Sequence, residues 1–390
     1  MRKVAVITSL YPPFPDDVQL LWGGVEIDME DTVKSLKNSG IEVSVISFDY
    51  IKPVENDDPD VKRIGIYMPH LLEKSSKSMF SFAYKEFFRP SIFVKMWNCL
   101  RKNKPELVVI GGTFQFSLAI YFACILLRIP YVVRYDWFCP TNPKDELCSL
   151  RDRFKCAWCI EKITGIKIPL IGKIAAGLYF VPLFLLKRIF WNRAEKVLVV
   201  SGFYREVAKS FGVRPEKIAV IPPKSELKLD SKVIEELKRR YKSQGEFVLL
   251  YVGRLEPEKG VEVLLDAFKE VEEEKVKLLI AGTGRLVHLV NDAMKKDKRI
   301  TYLGLVPHEQ IGNYYAIADS AIVPSIVPEG HPVVVEEAMS LNKTIIGSNM
   351  GGLGEILKTY ERGILVEERR GEAFAEKIRK IMKEMELKQG

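Results

Sequence analysis

The sequence predicts an α/β protein with two doubly wound parallel sheets. Short β-branched runs alternate with helical stretches along the 390-residue chain, which is the pattern of parallel sheets covered by helices. The predicted strands number twelve, too many for one ordinary open sheet. Because Pro222-Pro223 is followed by a polar stretch, we place a boundary there and predict domains over residues 1–223 and 224–390.

Each predicted strand is a short run of β-branched and aliphatic residues. In the first domain the strands are Val4–Thr8, Glu42–Ser47, Leu107–Ile110, Tyr131–Arg134, Val197–Val200 and Ile218–Ile221. In the second domain they are Phe247–Val252, Val276–Ala281, Ile300–Leu303, Ala321–Val323, Thr344–Gly347 and Ile364–Val366. Helices are predicted between most of them, including Asp28–Asn38, Val261–Glu272 and Pro332–Leu341. Ligands of such sheets bind at the carboxyl ends of the strands, so we expect a site between the two domains.

Composition excludes several classes of protein. With 47% hydrophobic and 28% charged residues, the chain is neither disordered nor fibrous. The longest apolar run, Ile174–Leu186, has 13 residues. As a helix it would span about 20 Å, less than the ~30 Å hydrocarbon core of a bilayer. The N-terminus predicts a buried strand rather than a signal peptide, so we expect a cytoplasmic protein.

Positive charge is concentrated in the middle of the chain. Residues 1–60 carry a net charge of −7, whereas residues 61–200 carry +14. No nucleic-acid-binding motif accompanies this charge, so nucleic acid is not an expected partner. Residues 77–105 interleave basic and aromatic side chains, and the run at 174–186 ends in Lys187-Arg188, features that suit interfacial helices. We predict a peripheral protein on the anionic inner membrane face; the alternative is that these aromatic residues form the core of the first domain.

The segment Val252–Gly260 carries two cations in a loop between a strand and a helix. Arg254 and Lys259 are five residues apart, so both can point at one anion. A leaving nucleoside diphosphate requires such neutralisation of its charge. A surface loop with two solvated cations is the alternative interpretation.

Two carboxylates flank the start of a predicted helix in the second domain. Glu329 precedes Pro332, which suits a first helical turn, and Glu337 falls in the second turn. Backbone N–H groups within residues 330–334 would form an anion site at the helix start. An ionised carboxylate only accepts hydrogen bonds, and it can hold two sugar hydroxyls. The alternative is a helix with exposed Glu336 and Glu337, which leaves the Glu-Gly-His-Pro sequence before it unexplained.

Glycine pairs follow two further strands. Gly23-Gly24 lies between the first strand and the first helix, and Gly282-Thr283-Gly284 follows a strand of the second domain. Glycine after a strand is ordinary turn chemistry, so neither pair is specific alone. Together with the first two motifs, they place phosphate-compatible loops in both domains.

In this order and spacing the motifs resemble those of the retaining group 1 glycosyltransferases, the family-4 type with the GT-B fold. The resemblance implies two Rossmann-like domains that face each other across a cleft, with the acceptor on the N-terminal side and the nucleotide sugar bound by the C-terminal domain. It extends from residue 1 to about residue 380. The matching segments are Gly23–Glu26, Gly253–Gly260, Ala281–Gly284, Leu303–Pro307, Glu329–Met339 and Gly351–Glu355.

The resemblance implies a role for each matching residue. Arg254 and Lys259 would bind the donor pyrophosphate, and Glu337 would hold the ribose hydroxyls. Glu329 would face the donor sugar as a catalytic residue. The other donor-binding residues that the family implies are Gly23, Gly24, Gly282, Gly284, Val306, Gly330, His331 and Pro332.

The family implies transfer of a hexosyl unit from a UDP- or GDP-hexose to a lipid-linked or glycan acceptor, with retention of configuration. No cofactor is expected for catalysis, because the two cations and the helix N-terminus would take the place of a divalent metal. Asp58 and Asp60 match the metal-binding pattern D-x-D. They lie in an acidic loop, however, and we do not assign them to a metal–diphosphate site.

The chain departs from the family after the strand Tyr131–Arg134, where members often carry His-Asp near the sugar. Tyr135 stands here in the position of the histidine, and Asp136 follows it. We predict catalytic roles for both, with Asp136 holding a hydroxyl or assisting as a base. A structural cap is an equal alternative for Asp136.

Four cysteines cluster after this position, at Cys139, Cys148, Cys156 and Cys159. Four thiolates that include one C-x-x-C pair can hold a structural Zn²⁺. A disulfide and free thiols are the two alternatives.

Two other functions remain open. A nucleotide-sugar isomerase or hydrolase of the GT-B type usually crowds histidines and carboxylates in its cleft, whereas this chain has four histidines in all. A non-catalytic module that retains the sugar-nucleotide site is the second alternative, because Tyr135 replaces the family histidine.

Overall fold

In the computed structural model the chain forms two compact units, residues 1–222 and 223–390. The structure describes residues 3–8, 24–49, 62–67, 90–111, 118–135, 167, 169–242 and 245–389. Each unit contains one parallel sheet with a hydrophobic layer on either face. The α/β fold of two parallel sheets, predicted from the alternation of strands and helices, is therefore confirmed.

The first unit is built on a seven-stranded sheet. Its strands are β1 Lys3–Thr8, β2 Glu42–Asp49, β3 Lys62–Tyr67, β4 Leu107–Ile110, β5 Tyr131–Tyr135, β6 Val197–Val199 and β7 Ile218–Val220. Its helices are α1 Gly24–Asn38, α2 Pro90–Asn103, α3 Ala119–Leu126, α4 Leu170–Arg193 and α5 Gly202–Ser210. The strand order is β3-β2-β1-β4-β5-β6-β7. Strand β1 is inside the sheet, where Val4 is in register with Val43 of β2 and Leu107 of β4.

The second unit is built on a six-stranded sheet. Its strands are β8 Phe247–Val252, β9 Val276–Ala281, β10 Ile300–Gly304, β11 Ser320–Val323, β12 Thr344–Ser348 and β13 Gly363–Val366. Its helices are α6 Ser231–Tyr241, α7 Val261–Lys269, α8 Val287–Lys296, α9 His308–Ile317, α10 Val333–Ser340, α11 Gly351–Thr359 and α12 Gly371–Gln389. The strand order is β10-β9-β8-β11-β12-β13.

Strand β8 shows how the second sheet is anchored between two hydrophobic layers, because successive side chains of a strand point to opposite faces. Leu249 belongs to the layer that contains Phe268 of α7 and Phe374 of α12. Its neighbour Leu250 belongs to the opposite layer, with Tyr315 of α9. Burial on both faces fixes the central strands, so their carboxyl ends hold the following loops in fixed positions.

Helix α4 exposes apolar side chains. Leu170, Ile171, Ile174 and Leu178 are 65%, 84%, 52% and 64% exposed, and their spacing places them on one side of the helix. The predicted apolar run at 174–186 thus lies inside a longer helix of 24 residues. Among the described helices, none is long and apolar enough to cross a membrane.

Candidate functional site

The loops after β8, β9 and β10 are joined by backbone hydrogen bonds at the carboxyl edge of the second sheet. The N–H of Leu255 donates to the carbonyl of Thr283 at 2.8 Å, and that of Gly282 donates to the carbonyl of Gly304 at 2.8 Å. Gly282 has a φ of +139°, and a Cβ there would lie 1.9 Å from the carbonyl oxygen of Gly253. Only glycine permits this approach. The predicted glycine loop after β9 therefore contacts the loop after β8 at Gly282.

Arg254 and Lys259 lie in the loop after β8, at the same edge. Gly260, which follows them, has a φ of +71°, and a Cβ there would lie 1.8 Å from the carbonyl oxygen of Pro324 at the end of β11. The Arg254 guanidinium lies 3.2 Å from the Glu258 carboxylate, with the arginine side chain 46% exposed. The Lys259 side chain is 27% exposed. Both cations are therefore accessible to an anion.

Glu329, in the loop after β11, pairs with Lys259. Lys259 Nζ donates to Glu329 Oε2 at 2.7 Å, and the carboxylate is only 11% exposed. Ser325 Oγ also donates to this carboxylate. The Tyr251 hydroxyl is buried nearby; burial and then the negative charge of Glu329 raise its pKa, so it remains a protonated donor to the Arg254 carbonyl at 2.9 Å. Lys259 and Glu329, which two separate motifs predict, are thus in direct contact.

Glu337 lies in α10 and is held by two side chains of α9. Its carboxylate is 3% exposed. Tyr315 Oη donates to Glu337 Oε2 at 2.9 Å, and His308 Nε2 lies 2.9 Å from Glu337 Oε1. Burial and the adjacent carboxylate raise the pKa of Tyr315 well above its ordinary value. The alternative interpretation of an exposed Glu337 is wrong.

The residues predicted at the start of α10 lie close together. The helix begins at Val333, one residue later than predicted, with Pro332 as its N-cap. His331 Nε2 lies 2.5 Å from Glu336 Oε1, and the histidine side chain is 6% exposed. Gly330 and Pro332 are buried, and Val306 is half-buried. His331 is thereby fixed against the first turn of α10.

Two models of known protein families match the chain. A sequence model described as Glycosyltransferase Family 4 matches residues 22–223, and one described as Glycosyl transferases group 1 matches residues 233–389. The chain belongs to the group 1 glycosyltransferases. The first match covers the first unit from α1 to β7 but not β1, and the second covers the part of the second unit that contains Arg254, Lys259, Glu329 and Glu337.

Curated relatives of this group 1 glycosyltransferase match parts of the chain. An uncharacterized glycosyltransferase of Methanocaldococcus jannaschii, MJ1607, is 27% identical over 202 residues, which are 49% of this chain and 52% of the relative. The lipopolysaccharide 1,2-N-acetylglucosaminetransferase of Salmonella typhimurium is 34% identical over 122 residues, which are 28% of this chain and 32% of the relative. The matched stretches thus span about half, or less, of the length of these relatives.

Solved structures resemble the chain over nearly its whole length. The Anabaena protein Alr3699/HepE, solved in complex with UDP, has a TM-score of 0.68 at 16% identity and covers 98% of this chain and 90% of its own. WaaG, a glycosyltransferase involved in lipopolysaccharide biosynthesis, has a TM-score of 0.64 at 15% identity and covers 97% of this chain and 90% of its own. At this level of identity the likeness establishes the GT-B fold.

Some predicted residues of this group 1 glycosyltransferase lie outside the described residues. They are Gly23, Asp58, Asp60, Asp136, Cys139, Cys148, Cys156, Cys159 and residues 77–89 of the basic aromatic segment. Within the described ranges, no three His, Cys, Asp or Glu side chains cluster as metal ligands would. Gly24 is described and is the first residue of α1.

Tyr135, the last residue of β5, packs in the core of the first unit. It is 6% exposed. Its ring centroid lies 5.0 Å from that of Trp191 and 5.4 Å from that of Tyr204. These contacts account for an aromatic residue at the position where the family often has histidine, and a catalytic role for Tyr135 stays a prediction.

A buried ion pair in the first unit is not among the predicted site residues. Arg134 Nη2 lies 2.6 Å from Asp28 Oδ1, and the two side chains are 5% and 7% exposed. A second contact joins Arg134 Nε to Asp28 Oδ2, so the pair is bidentate. The pair ties α1, the helix that begins at Gly24, to the end of β5. A buried arginine in a strand that otherwise reads as apolar is the sequence signal for it.

Proposed function

We propose that this chain is a retaining hexosyltransferase that takes its sugar from a nucleoside diphosphate sugar. The observation that carries the proposal is the Lys259–Glu329 pair at 2.7 Å, which puts a cation and a carboxylate from two different loops at one sheet edge. Both the Alr3699/HepE structure with UDP and that with UDP-glucose support a UDP-hexose donor. The name of the Salmonella relative supports a glycan or lipid-linked acceptor. GDP-hexose is the other donor we consider.

The donor diphosphate would bind at Arg254 and Lys259. Charge-assisted hydrogen bonds to phosphate oxygens are stronger than neutral ones, and both side chains are partly exposed. Lys259 would turn from the Glu329 carboxylate to a phosphate oxygen as the donor enters. Charge on the departing diphosphate would then be neutralised by cations that are already in place before the bond breaks.

In the proposed reaction the bond between the anomeric carbon and the phosphate oxygen breaks, and the acceptor hydroxyl attacks from the same face. Attack on that face retains the configuration. The hydroxyl proton passes to the departing phosphate oxygen, so no proton is left over. Glu329, no longer paired with Lys259, would face the sugar ring, where its negative charge stabilises positive charge that develops in the transition state. On the acceptor side we assign Tyr135 and Asp136, and we propose a cytoplasmic enzyme without a catalytic metal.

Thermal-shift measurements with UDP-, GDP- and ADP-sugars test the donor site. A ligand at 100 times its dissociation constant stabilises the folded state by about 2.7 kcal/mol, so the correct nucleotide should raise the melting temperature measurably. Product analysis with that donor then separates the functions. A new glycosidic product with retained configuration supports a transferase, free or epimerised sugar indicates the hydrolase or isomerase, and binding without any product indicates the non-catalytic module.

The exposed side of α4 supports peripheral attachment to an anionic membrane. Ile171 and Leu178 are 84% and 64% exposed, and Lys173, Lys187 and Arg188 lie on the same helix. Apolar side chains that enter the bilayer interface, with basic side chains near anionic headgroups, favour binding of a helix parallel to the surface. Such attachment would bring the enzyme to a lipid-linked acceptor.

Cosedimentation with vesicles tests this attachment. Wild type should bind vesicles that contain anionic lipid more strongly than neutral ones, and the preference should fall as salt rises. Ile171→Glu and Leu178→Glu should weaken binding, whereas Leu229→Glu, which alters another exposed leucine (51% exposed) in the second unit, should not. Equal binding to neutral and anionic vesicles at low salt would instead favour a soluble acceptor.

A further inference from the structure

Helix α9 presents two side chains to one carboxylate. His308 and Tyr315 are seven residues apart, which is nearly two helical turns, so they lie on the same face. Side chains lean toward the N-terminus of their helix, and the Tyr315 ring therefore leans back toward His308. The two residues contact the Glu337 carboxylate of α10, each at 2.9 Å and each at a different oxygen.

The contacts define which group donates each proton. An ionised carboxylate only accepts, so His308 Nε2 carries the hydrogen in its contact with Glu337 Oε1. The Tyr315 hydroxyl has one proton, and Glu337 Oε2 at 2.9 Å is nearer to it than the Val334 carbonyl at 3.2 Å. Because a charged acceptor is also the stronger one, we assign the proton to the carboxylate.

The Glu337 carboxylate can accept further hydrogen bonds besides those from His308 and Tyr315. A carboxylate offers about four lone-pair positions, two on each oxygen. Among the described residues, Tyr315 and His308 are the side chains that donate to Glu337, one to each oxygen. One lone-pair position therefore remains on each oxygen. Both positions lie in the plane of the carboxylate, and the two donors fix the orientation of that plane. A pair of adjacent hydroxyls supplies the matching two donors.

We infer that His308 and Tyr315 are positioning residues that orient the Glu337 carboxylate for the 2′,3′-cis-diol of a ribose. The inference rests on the proposed function, in which Glu337 holds the ribose of the donor nucleotide. It adds that recognition of the diol depends on α9 as well as on the motif of α10. The enzyme should accordingly distinguish a ribonucleotide from its dideoxy form, and this distinction should weaken when either donor is removed.

Calorimetric titration of paired nucleotides tests the inference. The probes are the tightest binder among UDP, GDP and ADP, and the 2′,3′-dideoxy form of the same nucleotide. Tyr315→Phe and His308→Ala should each weaken binding of the ribonucleotide about tenfold, the effect of one hydrogen bond, and change binding of the dideoxy form less than about twofold. Tyr314→Phe and His288→Ala are the matched controls, and both should behave like wild type with both probes.

The outcomes separate the inference from the function on which it rests. If a variant loses affinity for both probes equally, the residue acts on general packing and the inference is overturned. Unchanged affinity for both probes overturns it as well. If wild type binds none of the three nucleotides, or binds the ribo and dideoxy forms alike, the proposed donor site itself fails. Should Tyr315→Phe not fold, His308→Ala decides, since the histidine side chain is 32% exposed and its loss leaves the core intact.

Discussion

The two units of this glycosyltransferase use their ion pairs differently. In the first unit, Arg134 and Asp28 are both at most 7% exposed and hold α1 against the end of β5. In the second unit, Arg254 and Lys259 pair with carboxylates at the sheet edge while they remain 46% and 27% exposed. A fully buried pair cannot exchange partners with a ligand, whereas a partly exposed one can. Burial therefore separates a pair that maintains structure from pairs that are available for binding.

The largest expected effect comes from breaking the buried pair. Arg134→Ala leaves the Asp28 carboxylate buried without its cation, which costs about 3–5 kcal/mol. All five tryptophans of the chain lie within residues 1–222, so tryptophan fluorescence during urea unfolding reports on the first unit. The unfolding midpoint should fall sharply, and the affinity of the second unit for nucleoside diphosphate should not change.

The control for this variant is Arg101→Ala, which alters an exposed arginine of α2. It should leave the fluorescence midpoint within experimental error of wild type. A normal midpoint for Arg134→Ala, or a loss of nucleotide affinity in a protein that is still folded, would contradict the structural role of the buried pair.

In the second unit we expect a smaller effect, which changes the affinity for nucleotide and not the unfolding midpoint. Arg254→Ala and Lys259→Ala should each weaken binding of the nucleoside diphosphate by about 1–3 kcal/mol, the range for hydrogen bonds to charged groups, and leave the fluorescence midpoint unchanged. Isothermal calorimetry measures the affinity. Lys269→Ala is the matched control, because Lys269 pairs with Asp266 at the far end of α7 and is 70% exposed. Wild-type affinity in both Arg254→Ala and Lys259→Ala would refute the assignment of these two residues to the diphosphate.

Substitution of Glu329, in the same unit, should lower the turnover rate more than the affinity for the donor. Glu329→Gln keeps an oxygen that can accept from Lys259 but loses the negative charge. If this charge acts mainly in the transition state, the turnover rate should fall tenfold or more, about 1.4 kcal/mol of the barrier, with a small change in donor affinity. Single-turnover kinetics and calorimetry measure the two effects. Glu262→Gln, an exposed position of α7, should alter neither, and an equal loss of rate and affinity would place Glu329 in ground-state binding.

Most of the fold could be predicted because buried parallel strands are continuous apolar runs. Phe247–Val252 is such a run, and its predicted bounds match β8. Strand β3, Lys62–Tyr67, was missed for the same physical reason. It begins with two basic residues, contains a glycine and pairs only with β2 at the edge of the sheet, where a strand needs no apolar run.

The sequence suggests the residues of the candidate site, but it does not predict the contacts between them. Arg254, Lys259, Glu329 and Glu337 lie in short motifs whose chemistry is visible locally. Their partners are distant in sequence, since Lys259 and Glu329 are 70 residues apart and His308 and Glu337 are 29 apart. Periodicity and motif spacing carry no information on such pairs. The fold determines them by bringing the loops after different strands to one edge.

The smallest expected effect is that of chelation, because we expect turnover to be the same before and after brief treatment with EDTA. In the proposed mechanism Arg254, Lys259 and the N–H groups at the start of α10 neutralise the leaving diphosphate. These groups are fixed by covalent structure and do not dissociate. If the cluster of Cys139, Cys148, Cys156 and Cys159 holds a structural metal, its removal should lower the melting temperature of the first unit while donor binding in the second unit persists. The measurement is hexosyl transfer after chelation, with folding checked by circular dichroism on the same sample. Activity that disappears from a folded protein and returns only with Mg²⁺ or Mn²⁺ would show that the cations of the second unit do not suffice, and Asp58 and Asp60 would then be the first carboxylates to test as metal ligands.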